Sequence, residues 1–157
     1  MGRARVRDAR AMERAAPSVG RPGPSFAHAR VGDAMSSRVL SCDPATSLVT
    51  VAQRMTGEGV HAVVVLRGPG DPGQLPSGLI TDTVVLRHAE AADCFTAGEV
   101  ADRDVLEVFP DEPLASVAKR MARHGVTHAV VLDGLGGHLI GVLASSDVVR
   151  VIAWGSH

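Results

Sequence analysis

The stretches GVHAVVVL (Gly59–Leu66) and GVTHAVVL (Gly125–Leu132) are nearly the same and lie 66 positions apart in a chain of 157 residues. When Pro44–Leu66 is compared with Pro110–Leu132, 11 of 23 positions are identical without a gap. Composition alone, even in a chain rich in Val and Ala, would produce only a few identities. The sequence therefore contains an internal duplication, and a repeat of this kind determines the architecture.

An amphipathic helix is predicted ahead of each phrase, because apolar residues recur at i, i+3, i+4 and i+7. These residues are Leu48, Val51, Ala52 and Met55 in the first copy, and Leu114, Val117, Ala118 and Met121 in the second. Thr46 is the predicted N-cap of the first helix, and Pro113 suits the first turn of the second. Gly59 and Gly125 are predicted to end the two helices in the left-handed conformation.

Two strands are predicted after each of these helices. Val60–Leu66 and Val126–Leu132 are short β-branched runs, which is typical of strands buried on both faces. Turn-rich connections lead to further strands at Gly78–Thr81 and Gly141–Ala144, and each of these is followed by a helix. With a preceding strand and a short helical lead-in, each copy is a β-α-β-β-α unit. One such unit would be marginally stable alone, so we expect an α/β (α+β) fold in which two units share one core.

The first 30 residues differ in charge from the rest of the chain. They hold seven Arg against two acidic residues, a balance of +5, whereas the remainder has a balance of −6. Their Pro, Gly and Arg content is typical of disorder. We therefore predict a disordered basic tail over 1–30, a first repeat over 31–92 and a second repeat over 93–154.

Several functional classes are disfavoured by composition and by missing motifs. The acidic body argues against nucleic-acid binding. No apolar run reaches membrane-spanning length and no secretory signal is recognisable, so we expect a cytoplasmic chain that does not bind a membrane. A nucleophile elbow, a phosphate-binding P-loop and a Cys/His pair at diagnostic spacing are all missing. The sequence therefore predicts a protein that is not an enzyme.

The duplicated segments resemble the CBS domain, named from cystathionine β-synthase, in the tandem arrangement called a Bateman module. The resemblance is carried by VGDAMSSRVLSCDPATSLVTVAQRMTGEGVHAVVVL with GLIT, and by AGEVADRDVLEVFPDEPLASVAKRMARHGVTHAVVLD with GVLASSDVV. It covers about residues 31–154. It implies two repeats packed by a pseudo-twofold with two clefts between them. It also implies a regulatory module that binds an adenosine-containing ligand, such as AMP, ADP, ATP or S-adenosylmethionine, and that forms a homodimer.

The resemblance further implies a ribose signature, G-h-h-[ST]-x-x-D, in which the carboxylate accepts hydrogen bonds from two sugar hydroxyls. The second copy, Gly141–Asp147, keeps the carboxylate but has Ala144 at the hydroxyl position. Arg150 is one turn further and could meet a phosphate, and wall contacts are expected from the opposite repeat. The ligand-binding residues expected on this basis are Asp147, Ser146, Ser145, Arg150, Ser41, Val60 and His61.

The first copy departs further from the signature, because Val84 stands at the carboxylate position. Thr81 and Thr83 remain in place, and Thr127 is expected to face them from the other repeat. This second, weaker cleft is expected to be empty or to bind a ligand without a ribose.

Simpler interpretations stay open at this point. Asp147 follows two serines before an apolar run and could act only as a helix cap. We expect no metal site, since the histidines and cysteines show no paired ligand spacing. Three functions are considered: an adenosyl sensor acting on a separate, unknown partner protein; a ligand-free dimerisation scaffold; and a metal- or redox-responsive module using Cys42 and Cys94.

Overall fold

The computed structural model describes residues 23–68 and 75–155, and its elements repeat in the same order in the two halves. Residues 1–22 of the predicted tail lie outside the described residues. In the first half the elements are α1 (Val31–Ala34), β1 (Ser41–Cys42), α2 (Leu48–Glu58), β2 (Ala62–Leu66), β3 (Pro76–Thr81), α3 (Asp82–Arg87) and a 3₁₀ helix (Ala89–Cys94). In the second they are α4 (Ala97–Val100), β4 (Glu107–Val108), α5 (Leu114–His124), β5 (His128–Leu132), β6 (Leu139–Ala144) and α6 (Ser145–Trp154).

Each half forms its own three-stranded mixed sheet. The strand orders are β1-β2-β3 and β4-β5-β6, with the first pair of strands parallel and the second pair antiparallel in both sheets. Val64 lies opposite Leu79 in the first sheet, and Val130 lies opposite Val142 in the second. The predicted β-α-β-β-α unit is therefore confirmed in both copies.

The two long helices end as expected but begin differently. Gly59 and Gly125 close α2 and α5 with φ values of 66° and 65°, a conformation that favours glycine. Ser47, and not the predicted Thr46, caps α2: its hydroxyl accepts a hydrogen bond from the backbone N–H of Thr50 at 3.1 Å. The cap lies one residue after the predicted position because the helix begins at Leu48, the first residue of the apolar face.

Replacing Ser47 by alanine is expected to lower the free energy of unfolding by about 1 kcal/mol, because a first-turn N–H of α2 loses its acceptor. The change is measured by urea denaturation. Thr46→Ala is the matched control and should change stability by less than about 0.5 kcal/mol. Equal losses in the two variants would contradict the cap assignment.

The core consists of three clusters of buried apolar side chains. One apolar cluster fills the first half around Leu48 and Ile80, and another fills the second half around Leu114 and Leu143. A third cluster lies at the seam between the halves, where side chains of the two sheets meet. Its buried members are Val64, Leu79, Val130 and Leu132. The halves are therefore packed together by their sheets, as the duplication predicts.

The short lead-in helices are exchanged between the halves. Val31 and Ala34 of α1 are buried in the cluster of the second half, and Ala97 and Val100 of α4 are buried in that of the first. Backbone bonds fix both crossings symmetrically: Gly32 N–H donates to the Pro110 carbonyl at 2.8 Å, and Gly98 N–H donates to the Pro44 carbonyl at 2.9 Å. Each packed unit is thus built from both sequence repeats, so a division of the chain near residue 92 does not separate two packed units.

Residues 23–30 differ from the prediction of a disordered tail. Ala29 is buried in the second-half cluster and Phe26 packs against it. The Ala29 carbonyl accepts a hydrogen bond from Leu114 N–H at 2.9 Å, at the start of α5. The prediction was wrong for this segment because its two apolar side chains find a place in the core despite the Pro- and Gly-rich composition.

Candidate functional site

A cavity of about 350 Å³ opens at the seam between the halves. From the first half, Leu40, which precedes β1, lines the cavity. Val60 and His61, which lie between the end of α2 and the start of β2, and Ala62, the first residue of β2, line it as well. From the second half, the wall is formed by Val142 and Ala144 of β6, His128 of β5 and the first turn of α6. We refer to this space as the seam cavity.

Asp147 brings a carboxylate to the seam cavity at the start of α6. One carboxylate oxygen accepts a hydrogen bond from the backbone N–H of Ala144 at 2.9 Å. The other accepts from the Arg150 guanidinium at 2.5 Å. The side chain is only 14% exposed. Asp147 therefore caps the helix and lines the cavity at once, so the two interpretations of this residue do not exclude each other.

The structure brings most of the expected ligand-binding residues together. Val60, His61, Ser145, Ser146 and Asp147 all line the seam cavity. The backbone N–H of Ser145 donates a hydrogen bond to the Thr127 carbonyl oxygen, with an N–O distance of 2.8 Å. This N–H is therefore not free to bind a phosphate. The roles expected for these side chains toward a ligand remain predictions.

Two of the expected residues are placed differently. Ser41 does not line the seam cavity: it lies in β1, paired with Val64. Ser36, Arg38 and Leu40 line it instead, and their spacing of two is that of one side of an extended segment, which turns Ser41 to the other side. Arg150 is not on the cavity wall, and its guanidinium reaches the cavity only through Asp147.

Sequence reasoning missed Ser36, Arg38 and His128 as cavity residues. For Ser36 and Arg38 the sequence did carry a signal: with Leu40 they are spaced two residues apart, as on one side of an extended segment ahead of β1. His128 had no such signal, because its position between two cavities depends on how the two sheets pack.

Two histidines, His61 and His128, lie on the wall of the seam cavity. The ring of His61 lies 2.8 Å from an Asp82 carboxylate oxygen, measured from Nδ1. Burial, and then the nearby His61, hold the pKa of His128 below its ordinary value, although Asp147 and Asp82 act in the opposite direction. The fold therefore favours neutral His128.

The stability of the protein is expected to fall as the pH is lowered from about 7 through the ordinary histidine pKa of about 6.5. The unfolded chain takes up a proton at His128 in that range while the folded chain resists it, so the loss continues until the pH passes the depressed folded pKa. Urea denaturation between pH 7.5 and 5 measures the effect. His128→Gln should flatten part of the dependence, whereas the exposed His124→Gln should leave it unchanged; identical pH profiles for both variants would contradict the assignment.

A second, smaller cavity of about 140 Å³ lies on the other side of His128. Thr81, Thr83 and Thr127 line it together, as expected for the weaker cleft. Val84, which stands at the carboxylate position of the signature, is fully buried in the first-half core and offers no polar atom. We call this space the threonine cavity.

Charged groups also line the threonine cavity. Arg87 faces Asp102 there, with N–O distances of 3.4 Å, and Asp104 is on the same wall. The hydroxyl of Thr127 is within hydrogen-bonding distance, 2.9 Å, of Nδ1 of His128. The cavity therefore differs from the seam cavity both in size and in its excess of acidic side chains.

The cysteines lie in different environments. Cys42 is buried, and burial raises the pKa of its thiol, whereas Cys94 is exposed; both are free thiols. Within residues 23–68 and 75–155, no cluster of three or more His, Cys, Asp or Glu side chains could hold a metal ion. None of the helices among these residues combines the length and the apolar character that a membrane span requires.

Comparison with known proteins places these features in a family. The family model of the CBS domain matches residues 31–91 and 97–153. A curated relative, homoserine O-acetyltransferase of Methanococcoides burtonii, is 33% identical over 125 residues, which are 80% of this chain and 24% of the relative. The chain spans about a quarter of the length of the first curated relatives it matches.

Solved structures with the same fold carry adenosyl ligands. The CBS domain pair of protein MJ0100, in complex with 5′-methylthioadenosine and S-adenosyl-L-methionine, superposes with a TM-score of 0.70 at 20% identity, over 79% of this chain and 95% of that one. The CBS domain of the bacterial CNNM/CorC family Mg²⁺ transporter, in complex with ATP, gives 0.70 at 18% identity, over 84% and 92%. At these identities the likeness establishes the fold.

Proposed function

The chain belongs to the CBS domain family, and from this premise we propose that it is a regulatory module that binds an adenosine-containing ligand in the seam cavity. The observation that carries the proposal is Asp147, a largely buried carboxylate on the wall of a cavity that also has apolar side chains, among them Leu40 and Val60. A carboxylate is suited to accept hydrogen bonds from two neighbouring sugar hydroxyls, and apolar walls suit a base.

Family members support the ligand class. The two solved structures described above hold 5′-methylthioadenosine with S-adenosyl-L-methionine in one case and ATP in the other. We therefore take AMP, ADP, ATP and S-adenosylmethionine as the candidate ligands of this chain.

The proposed output is regulation of a partner protein in trans, in the cytoplasm, with no catalytic step in this chain. In the curated relatives the matching segment occupies about a quarter of a protein named as an acetyltransferase. That arrangement supports an enzyme as the kind of protein that such a pair accompanies.

We propose that two copies associate through exposed apolar helix faces. Leu86 of α3 is 72% exposed, and Val149 and Ile152 of α6 are 62% and 59% exposed. In sedimentation velocity the full chain should behave as a dimer, and Leu86→Glu with Ile152→Glu should make it a monomer. Leu135→Glu, which changes an equally apolar but isolated loop residue, is the control and should leave the dimer intact.

Calorimetric titration of the full chain with AMP, S-adenosylmethionine and ATP tests the ligand proposal, with GMP as the control. At least one adenosyl compound should bind with saturation. In thermal unfolding, a ligand concentration tenfold above Kd should add about 1.4 kcal/mol of stability. Absence of binding by all three at millimolar concentration would reject the proposal.

A ligand-free dimerisation scaffold is the second candidate, favoured by the incomplete signatures. Val84 replaces the carboxylate in the first copy, and in the second Arg150 already engages Asp147 while Ala144 replaces the hydroxyl residue. A scaffold would capture the same partner protein with and without nucleotide. Partner capture that changes when an adenosyl compound is added would reject it.

A further inference from the structure

The charged side chains on the wall of the seam cavity are already neutralised within the protein. Each one that reaches the wall from the described residues contacts an oppositely charged group. Arg38 pairs with Glu58 and Asp147 pairs with Arg150, while the ring of His61 lies within hydrogen-bonding distance of an Asp82 carboxylate oxygen. The partners Glu58, Asp82 and Arg150 do not line the cavity themselves. The wall thus presents balanced charges, with no surplus of cations among the described residues.

The fold holds the other histidine on the wall, His128, toward its neutral form. His128 is partly buried, and its pKa lies below the ordinary value because of that burial. The first turn of α6 is also partly engaged, since Ser145 N–H is bonded to the Thr127 carbonyl. Neither the His128 ring nor the Ser145 N–H therefore adds a free positive group for an anionic ligand.

Arg38 is the cation that can be redirected toward a ligand. Its side chain is 69% exposed, and its partner Glu58 is 48% exposed. An exposed ion pair is weak, so Arg38 can leave Glu58 for a phosphate without a large penalty. One guanidinium can match one phosphate group, but the charges of a triphosphate would stay largely unmatched.

We propose that the seam cavity selects adenosyl ligands whose 5′ substituent is uncharged or carries a single phosphate, and discriminates against the triphosphate. The proposal rests on the function proposed above and narrows its ligand class. The volume of about 350 Å³, at the lower end of the usual range for small-molecule sites, agrees with a compact ligand.

Titration of the full chain with 5′-methylthioadenosine, AMP and ATP, at one ionic strength and without divalent cations, tests the selectivity. The first two should bind at least about tenfold more tightly than ATP, a difference of about 1.4 kcal/mol. Glu58→Gln frees Arg38 from its partner and should tighten ATP binding several-fold, while 5′-methylthioadenosine affinity stays unchanged. Glu90→Gln makes the same charge change at an exposed residue away from both cavities and should alter neither affinity.

The outcomes separate the two proposals. If ATP binds as tightly as AMP or more tightly, the selectivity is overturned but the adenosyl-binding function stands. If none of the three compounds binds, and S-adenosylmethionine does not bind either, the function itself fails. If Glu58→Gln changes the affinities for ATP and 5′-methylthioadenosine by the same factor, the ion pairing is not the cause of selectivity and the inference is overturned.

Discussion

Replacing Gly141 by alanine is expected to lower the free energy of unfolding by about 1–3 kcal/mol. A Cβ at this position would lie 2.8 Å from the Met35 sulfur and 2.9 Å from the Ser36 carbonyl oxygen. The methionine side chain can move, but the Ser36 backbone cannot move freely, because Ser36 and Val142 exchange backbone hydrogen bonds of 2.9 and 3.0 Å. The glycine of the ribose signature therefore has a packing role: it admits the lead-in segment exchanged from the other half.

Gly57→Ala is the matched control for this prediction. Gly57 lies within α2, and a Cβ there would meet nothing within 4 Å. Alanine has the higher helix propensity, so this variant should gain about 0.5–1 kcal/mol. Denaturant unfolding of both variants measures the two changes. A Gly141→Ala protein as stable as the parent would mean that the lead-in segment does not lie against β6 as described.

Much of the fold could be predicted because its signals are local and written twice. The apolar spacing from Leu48 to Met55 sets the face of α2, and Gly59 ends that helix by a conformation that glycine adopts readily. The same signals recur 66 residues later. A short apolar segment can often be interpreted either as a core helix or as a strand, and here both copies indicate the same assignment. The shared core follows from size alone, since each half is too small to bury enough surface.

The parts that could not be predicted depend on contacts between the copies. Nothing near Val31 in the sequence indicates that α1 packs on the second half, because the two halves have the same order of elements. The placement of Arg38 in the cavity and of Ser41 outside it depends on the direction in which that exchanged segment runs. Asp147 was found from its signature, but its bond to Arg150 required the geometry of α6.

Asp147→Asn is expected to weaken the binding of an adenosyl ligand about 10- to 100-fold, because hydrogen bonds to a charged acceptor contribute about 1.5–3 kcal/mol. The amide keeps an oxygen that can accept from the Ala144 N–H, so the helix cap and the shape of the wall are retained. What is lost is the charge that two ribose hydroxyls would use, together with the ion pair between Asp147 and Arg150. Calorimetric titration with AMP measures the loss, and urea denaturation verifies that the fold persists.

Asp33→Asn separates the ligand effect from the capping effect. Asp33 holds the start of α1 with the same kind of bond, from the Arg30 backbone N–H at 2.8 Å, and it lines neither the seam cavity nor the threonine cavity. Its amide variant should therefore bind AMP like the parent chain. If both variants bind AMP equally well, Asp147 serves only as a cap and the ligand must be held elsewhere. If Asp147→Asn alone loses affinity, the loss comes from the carboxylate or its ion pair with Arg150 and not from the cap, since both substitutions change the cap in the same way.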